Sequence, residues 1–248
     1  MHPAEEGFPG SGHSGSSTVG KLRISEIFYS IQGEGTLAGV PSVFVRTSGC
    51  NLRCVWCDTP YTSWHPEGEH QTLDAIVAEV DRLGGRHVVV TGGEPMIAGG
   101  VVELTRRLKD GGKHITMETA GTVYQPVMCD LMSISPKLAN STPTHREGGK
   151  WAAAHERLRY QPEVLRKLMA EYEYQLKFVV AAPEDLAEVR VMMEELGAER
   201  DRVLLMPEGA TREAVAERAE WVMELAKTER VRYSPRLHID VWGWRRGV

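Results

Sequence analysis

Short apolar, β-branched runs alternate along this chain with runs whose apolar residues recur at helical spacing. That alternation limits the available folds more than any other feature. Strands are expected at residues 22–31, 42–47, 87–91, 114–118, 131–135, 174–180, 202–206 and 236–239, each bounded by Gly, Pro or charge. Between them, "TLDAIVAEVDRLGG" (72–85) has a Thr N-cap, helical apolar spacing and a Gly stop. "PEDLAEVRVMMEELG" (183–197) is expected to carry its Pro in the first helical turn and to stop at Gly, and "TREAVAERAEWVMELAKTER" (211–230) is the longest and most regular helical run. Strands alternating with helices imply a parallel sheet with right-handed crossovers. At 248 residues, with no internal repeat, the chain suits one α/β domain over 21–248. The stretch at 139–160 is polar and irregular, and reads as a loop or weak helix at one mouth of the sheet, either a lid or an exposed connection.

Residues 1–20 are dominated by Gly, Ser and Pro and read as a mobile tail without the basic start and apolar core of a secretory signal. No apolar run approaches the roughly 20 residues of a membrane-spanning helix. The net charge of −5 argues against a nucleic-acid surface. A cytoplasmic protein with reduced thiols is therefore expected, and clustered cysteines then point to a metal more than to a disulfide.

Such a cluster exists. "GCNLRCVWCD" (49–58) places Cys50, Cys54 and Cys57 in a C-x-x-x-C-x-x-C array, while Cys129 lies far away. Structural zinc takes four protein ligands, for which His65 or Cys129 would have to serve as the fourth. A [4Fe-4S] cluster held by three thiolates instead leaves one iron open to another molecule. In that role the array resembles the radical S-adenosylmethionine superfamily. The resemblance implies that S-adenosylmethionine chelates the open iron and is cleaved by an electron from the cluster, giving a radical that abstracts a substrate hydrogen. "VVVTGGEP" (88–95) matches the superfamily's Gly-Gly-Glu motif: the glycines let backbone approach closely, and a carboxylate can meet an ammonium.

The stretch at 26–59, "EIFYSIQGEGTLAGVPSVFVRTSGCNLRCVWCDT", is similar to the N-terminal signature of the 7-carboxy-7-deazaguanine synthase family. "METAGT" (117–122), "SISPK" (133–137), "QLKFVV" (175–180) and "RLHIDVWGWRRGV" (236–248) extend the likeness over nearly the whole chain beyond the tail. The resemblance implies a partial parallel (β/α) barrel with reduced helix content, and ligands at the C-terminal ends of its strands. It implies conversion of 6-carboxy-5,6,7,8-tetrahydropterin to 7-carboxy-7-deazaguanine with loss of ammonia, within 7-deazapurine (queuosine-type) biosynthesis, and S-adenosylmethionine re-formed at each turnover. It places substrate at Ile31, Gln32, Gly33, Arg46 and Thr91. It places S-adenosylmethionine at Trp56, Cys57, Asp58, Gly93, Ser135, Pro136, Lys137, Gln175, Leu176, Lys177 and Phe178, with Glu94 and Glu118 as further polar contacts, and Mg²⁺ at Thr59. A homodimer and an electron donor such as flavodoxin or ferredoxin are implied as well.

From the residues alone, Arg46 reads equally as a surface ion pair and Thr59 as the opening of a turn. Met192, Met193, Met206 and Met223 read as core filler and Cys129 as a buried thiol, while His145 and His155 read as solvated. Two rivals remain: an activase that installs a radical on a partner enzyme, which would lack "SIQGEG" and "HIDVWGW", and a colourless zinc-binding structural module.

Overall fold

The computed structural model describes residues 20–248; the tail expected at 1–20 falls, Gly20 apart, outside the described residues. One nine-stranded sheet organises the chain: β1 (Lys21–Ile31), β2 (Pro41–Thr47), β3 (Glu69–Thr72), β4 (His87–Gly92), β5 (His114–Thr119), β6 (Leu131–Ile134), β7 (Tyr174–Val180), β8 (Val203–Pro207) and β9 (Arg232–Tyr233). Their spatial order is β3-β1-β2-β4-β5-β6-β7-β8-β9, an open sheet whose edges are β3 and β9.

From β2 onward every pairing along this order is parallel, as the alternation requires. The first strands depart from it. β1 runs antiparallel to β2, with Ile27 opposite Val45, and antiparallel to β3. The connection at 32–40 is too short for a crossover, so the chain turns back on itself through a 3₁₀ turn at Gly35–Leu37. β3, "EHQT", is entirely polar, which is why no apolar pattern announced it.

The helices are α1 (Pro60–Ser63), α2 (Leu73–Leu83), α3 (Val101–Asp110), α4 (Ala152–Arg159), α5 (Pro162–Glu171), α6 (Asp185–Leu196), α7 (Arg212–Glu229) and α8 (Leu237–Trp242). α2 opens on Thr72, whose hydroxyl accepts from the Ala75 amide, and stops at Gly84 in the left-handed conformation. α7 opens in the same way on Thr211. α2 packs on β1 and β2, α3 on β5, α5 on β6, α6 on β7 and α7 on β8, burying a continuous core that includes Ile76, Leu104, Leu165, Val189 and Val222.

Four expectations need correction. Residues 236–239 are not a strand but open α8, with Arg236 as its N-cap: Pro235 interrupts the sheet ladder, and Arg236 and Ile239 are both buried. Pro183 sits in the turn before α6, whose start is fixed by the Asp185 carboxylate accepting from the Ala181 and Ala182 amides. Met223 is exposed, whereas Met192, Met193 and Met206 are core. His155 is wholly buried while His145 is exposed, because α4 turns one face inward from the irregular stretch.

Candidate active site

The cavity lies at the C-terminal ends of the parallel strands, where the connecting loops converge. β2 delivers the cysteine loop directly: Thr47 ends the strand, and residues 48–58 fold across the mouth. Cys50, Cys54 and Cys57 all line the cavity, beside Leu52, Trp56 and Thr59. The loop is held by its own groups. Arg53 reaches back to the Cys50 and Leu52 carbonyls at 2.8 Å each, and the Trp64 indole donates to the Cys54 carbonyl at 3.0 Å. From β4, Gly93 fits flat against this loop, since a Cβ there would lie 2.2 Å from the Gly49 oxygen and 2.8 Å from Cys50 Cβ.

All four cysteines are free thiols. Burial pushes the Cys54 thiol up to about 12, with Lys137 pulling against it, and holds Cys50 and Cys57 above their usual range too. Thiolates here need a positive partner, which iron supplies. Among the described residues no three His, Cys, Asp or Glu side chains are grouped to hold a metal ion between them. A tetrahedral zinc needs its ligand atoms converging about 2.3 Å from one point, whereas a cluster takes each thiolate on a different iron and spaces them apart. Three thiols of one loop lining one cavity are the donor set that a [4Fe-4S] cluster with an open iron takes. Neither proposed fourth zinc ligand is at hand: His65 is exposed, and Cys129 precedes β6 at the far end of the sheet.

The opposite wall is polar. Gln32 Nε2 donates to Glu118 Oε1 at 3.0 Å, and Thr91 Oγ1 donates to Glu118 Oε2 at 2.7 Å. Glu34 accepts from both Lys177 and Arg236, and Arg236 also bridges to Asp58. Burial alone would raise the Glu34 carboxyl, but Lys177, Arg236 and His238 together pull it well below the usual range. Arg236 likewise lowers Asp58 against its burial. Arg46 pairs through Nε with Glu26 at 2.7 Å, so its charge is already matched. Lys137 differs: it donates to the Ser135 carbonyl and hydroxyl at 2.8 Å, and no carboxylate among the described residues forms an ion pair with it.

Most of the expected residues meet here: Ile31, Gln32, Gly33, Arg46, Cys50, Cys54, Trp56, Cys57, Asp58, Thr59, Thr91, Gly93, Glu118, Ser135, Lys137 and Lys177 line the cavity. The others do not. Leu176 and Phe178 point into the core, because alternate residues of β7 face opposite sides and Lys177 takes the cavity side. Pro136 is buried behind the lining, and Gln175 is occupied by the Thr36 amide and Ser133. Glu94 turns inward, accepting from the Met96 and Ala120 amides and from Thr119, and burial raises its carboxyl. Glu34, Arg236 and His238 were not singled out from the sequence, though Glu34 stands inside "SIQGEG" and the other two inside the C-terminal motif.

Comparison with known proteins agrees with this geometry. The Radical SAM superfamily model matches residues 44–139, which span the cysteine loop and the Gly-Gly-Glu motif. A 7-carboxy-7-deazaguanine synthase from Halobacterium salinarum is 46% identical over 232 residues, 89% of this chain and 90% of that protein. The chain belongs to the 7-carboxy-7-deazaguanine synthase family. Another family member, from Rhodopirellula baltica, is 43% identical over 248 residues, covering 100% of this chain and 95% of its own. The fold matches the crystal structure of QueE from Escherichia coli, with a TM-score of 0.66 and 24% identity over 88% of this chain and 95% of that one. As a radical S-adenosylmethionine enzyme, this synthase family member uses a [4Fe-4S] cluster and S-adenosylmethionine. Among the described residues no helix is long and apolar enough to cross a membrane.

Proposed function

We propose that this chain converts 6-carboxy-5,6,7,8-tetrahydropterin to 7-carboxy-7-deazaguanine with release of ammonia. The observation that carries the reading is a single cavity with three thiols of one loop on one wall and Gln32, Thr91, Glu118 and Lys177 on the other. When bound, the cluster and S-adenosylmethionine supply hydrogen-atom abstraction. The chain's own residues bind, orient and exclude water. Glu118 offers carboxylate oxygens to the N–H-rich aminopyrimidinone edge of a pterin, and Gln32 offers both donor and acceptor beside it. Lys137, with no acid partner among the described residues, suits an anionic group of the cofactor.

The other cavity cations are each matched to a carboxylate: Arg46 to Glu26, Lys177 to Glu34, Arg236 to Glu34 and Asp58. A substrate carboxylate entering such a balanced wall is helped by an added cation. This supports Mg²⁺ at Thr59, with waters and substrate oxygens completing its octahedron. Thr59→Ala is then expected to weaken the Mg²⁺ response of turnover more than it weakens S-adenosylmethionine binding; an unchanged Mg²⁺ response removes Thr59 from the site. A cytoplasmic homodimer reduced by a flavodoxin- or ferredoxin-type donor completes the reading. The test is anaerobic incubation of the reconstituted, reduced protein with S-adenosylmethionine and the pterin, followed by mass spectrometry. Cleavage of S-adenosylmethionine without the deazaguanine product overturns the substrate assignment.

A further inference from the structure

The irregular stretch at 139–160 lends Tyr160 to the core and no residue to the cavity lining, yet it carries two wholly buried polar side chains, Ser141 and His155. His155 faces the cysteine loop, and Ser141 backs its ring. The Arg53 amide donates to His155 Nδ1 at 3.1 Å. On the far side of the ring, Nε2 lies 2.9 Å from Ser141 Oγ, and that hydroxyl lies 2.6 Å from the Leu138 carbonyl. Only one arrangement of protons satisfies this chain. Nδ1 faces an N–H, so it must be bare and the ring proton sits on Nε2. Ser141 accepts that proton and passes its own to Leu138.

The same stretch grips the loop at three further points. The Val55 amide donates to the Ser141 carbonyl at 2.8 Å, and the Trp56 indole donates to Asn140 Oδ1 at 3.2 Å. Arg146 donates to the Val55 carbonyl at 3.2 Å while its guanidinium stacks 3.8 Å from the Trp64 ring centre. Asn140 is anchored in turn to the Val179 carbonyl and to Asp185, at the end of β7 and the start of α6. Residues 53, 55 and 56 are thus tied to the barrel from outside, on either side of Cys54.

We propose that His155 is a positioning residue: through the Arg53 amide it sets the backbone of the cysteine loop, and so the placement of the thiolates on the iron–sulfur cluster. The inference rests on the assignment of the cluster to Cys50, Cys54 and Cys57. Hydrogen-bonding partners that orient metal ligands govern metal retention and potential. Here the lever is an acceptor aimed at a peptide N–H between two ligands.

The acceptor position distinguishes this role from simple core filling. His155→Asn keeps an oxygen where Nδ1 stands, whereas His155→Leu keeps bulk and loses the acceptor. Each variant is reconstituted anaerobically, checked for fold by circular dichroism, and challenged with an iron chelator while the visible cluster absorbance is followed. The midpoint potential is measured on the same samples. His155→Leu is expected to lose its cluster about tenfold faster than the unsubstituted protein and to shift its potential, with His155→Asn close to the unsubstituted protein. Equal rates and potentials for His155→Leu and the unsubstituted protein, or equally fast loss from Asn and Leu variants, overturn the proposal. Where His155→Leu does not fold, Ser141→Ala decides: freeing Nε2 lets the ring turn, so cluster loss should accelerate, and an unchanged rate overturns the proposal. An unsubstituted protein that takes up no iron defeats the cluster assignment instead.

Discussion

The two walls of the cavity are built in opposite ways. The thiol wall comes from one loop, with Cys50, Cys54 and Cys57 contributed by eight consecutive residues. The charged wall gathers Glu34, Asp58, Lys177, Arg236 and His238 from segments up to about 200 residues apart, Arg236 meeting Glu34 across 202 positions. On the thiol side burial prevails over the pull of Lys137 on Cys54 and of the Leu52 amide on Cys50, and drives both towards their neutral forms. On the charged side burial is overcome: Lys177 and Arg236 keep Glu34 ionised, while Glu34 raises Lys177 and, with Asp58, raises Arg236 against their own burial. One wall therefore waits for a cation from outside the chain, and the other has already neutralised itself. Chemistry that depends on an added metal is carried by local spacing. Chemistry that depends on mutual compensation exists only once distant segments have met.

The largest effect should come from the thiol wall. Cys54→Ala is expected to abolish cluster-dependent cleavage of S-adenosylmethionine, whereas Cys129→Ala, at the other end of β6, should leave iron content and cleavage unchanged. Retained cleavage in Cys54→Ala would erase the distinction between the walls. The charged wall should respond in stability instead. Lys177→Met removes one of two cations from a buried carboxylate, and breaking such a pair costs about 3 kcal/mol. Glu34→Gln in the same background should recover part of that loss, because it removes the stranded charge. Urea denaturation of the two single variants and the double variant measures the coupling, and strictly additive losses would show that the pair is not acting as a unit.

A smaller effect should appear with pH. Glu34 and Asp58 have folded values below their unfolded ones, so their contribution is present above the ordinary carboxylate range and is lost as the pH falls through it. His155 is pushed down to about 4 by burial, and burial lowers His238 as well. For these rings the unfolded chain binds more protons below its ordinary value of about 6.5, so stability falls as acid is added from near neutrality towards pH 4. Each such group contributes a slope of at most about 1.4 kcal/mol per pH unit. Denaturation midpoints that stay flat between pH 7 and 5 would show that His155 and His238 do not titrate with the fold, leaving the carboxylates alone responsible for acid sensitivity.

Much of the architecture was legible in the residues. Val88, Val89 and Val90, β-branched and bounded by charge and Gly, read as buried strand, and Thr72 and Thr211 mark helix starts by side-chain chemistry that needs no distant partner. β3 was not legible, since "EHQT" acquires its extended form only by pairing with β1. Nor was α8, where "RLHI" alternates as a strand would, but burial of Arg236 between Glu34 and Asp58 fixes the chain in a helical turn. Leu176 and Phe178 turn into the core for a simpler reason: a contiguous motif on a strand is divided between two faces.

The sequence by itself therefore determined the strand–helix alternation and the triad of cysteines, because hydrophobic periodicity and ligand spacing are properties of neighbouring residues. It also carried the family, through motifs spread over the whole chain. Only the tertiary structure decided that the first strands turn back antiparallel, that Arg46 and Lys177 meet the cavity already paired, and that His155 closes on the Arg53 amide. Those outcomes depend on which charges and bare nitrogens are brought together when water is excluded, and no local pattern encodes the identity of a partner a hundred residues away.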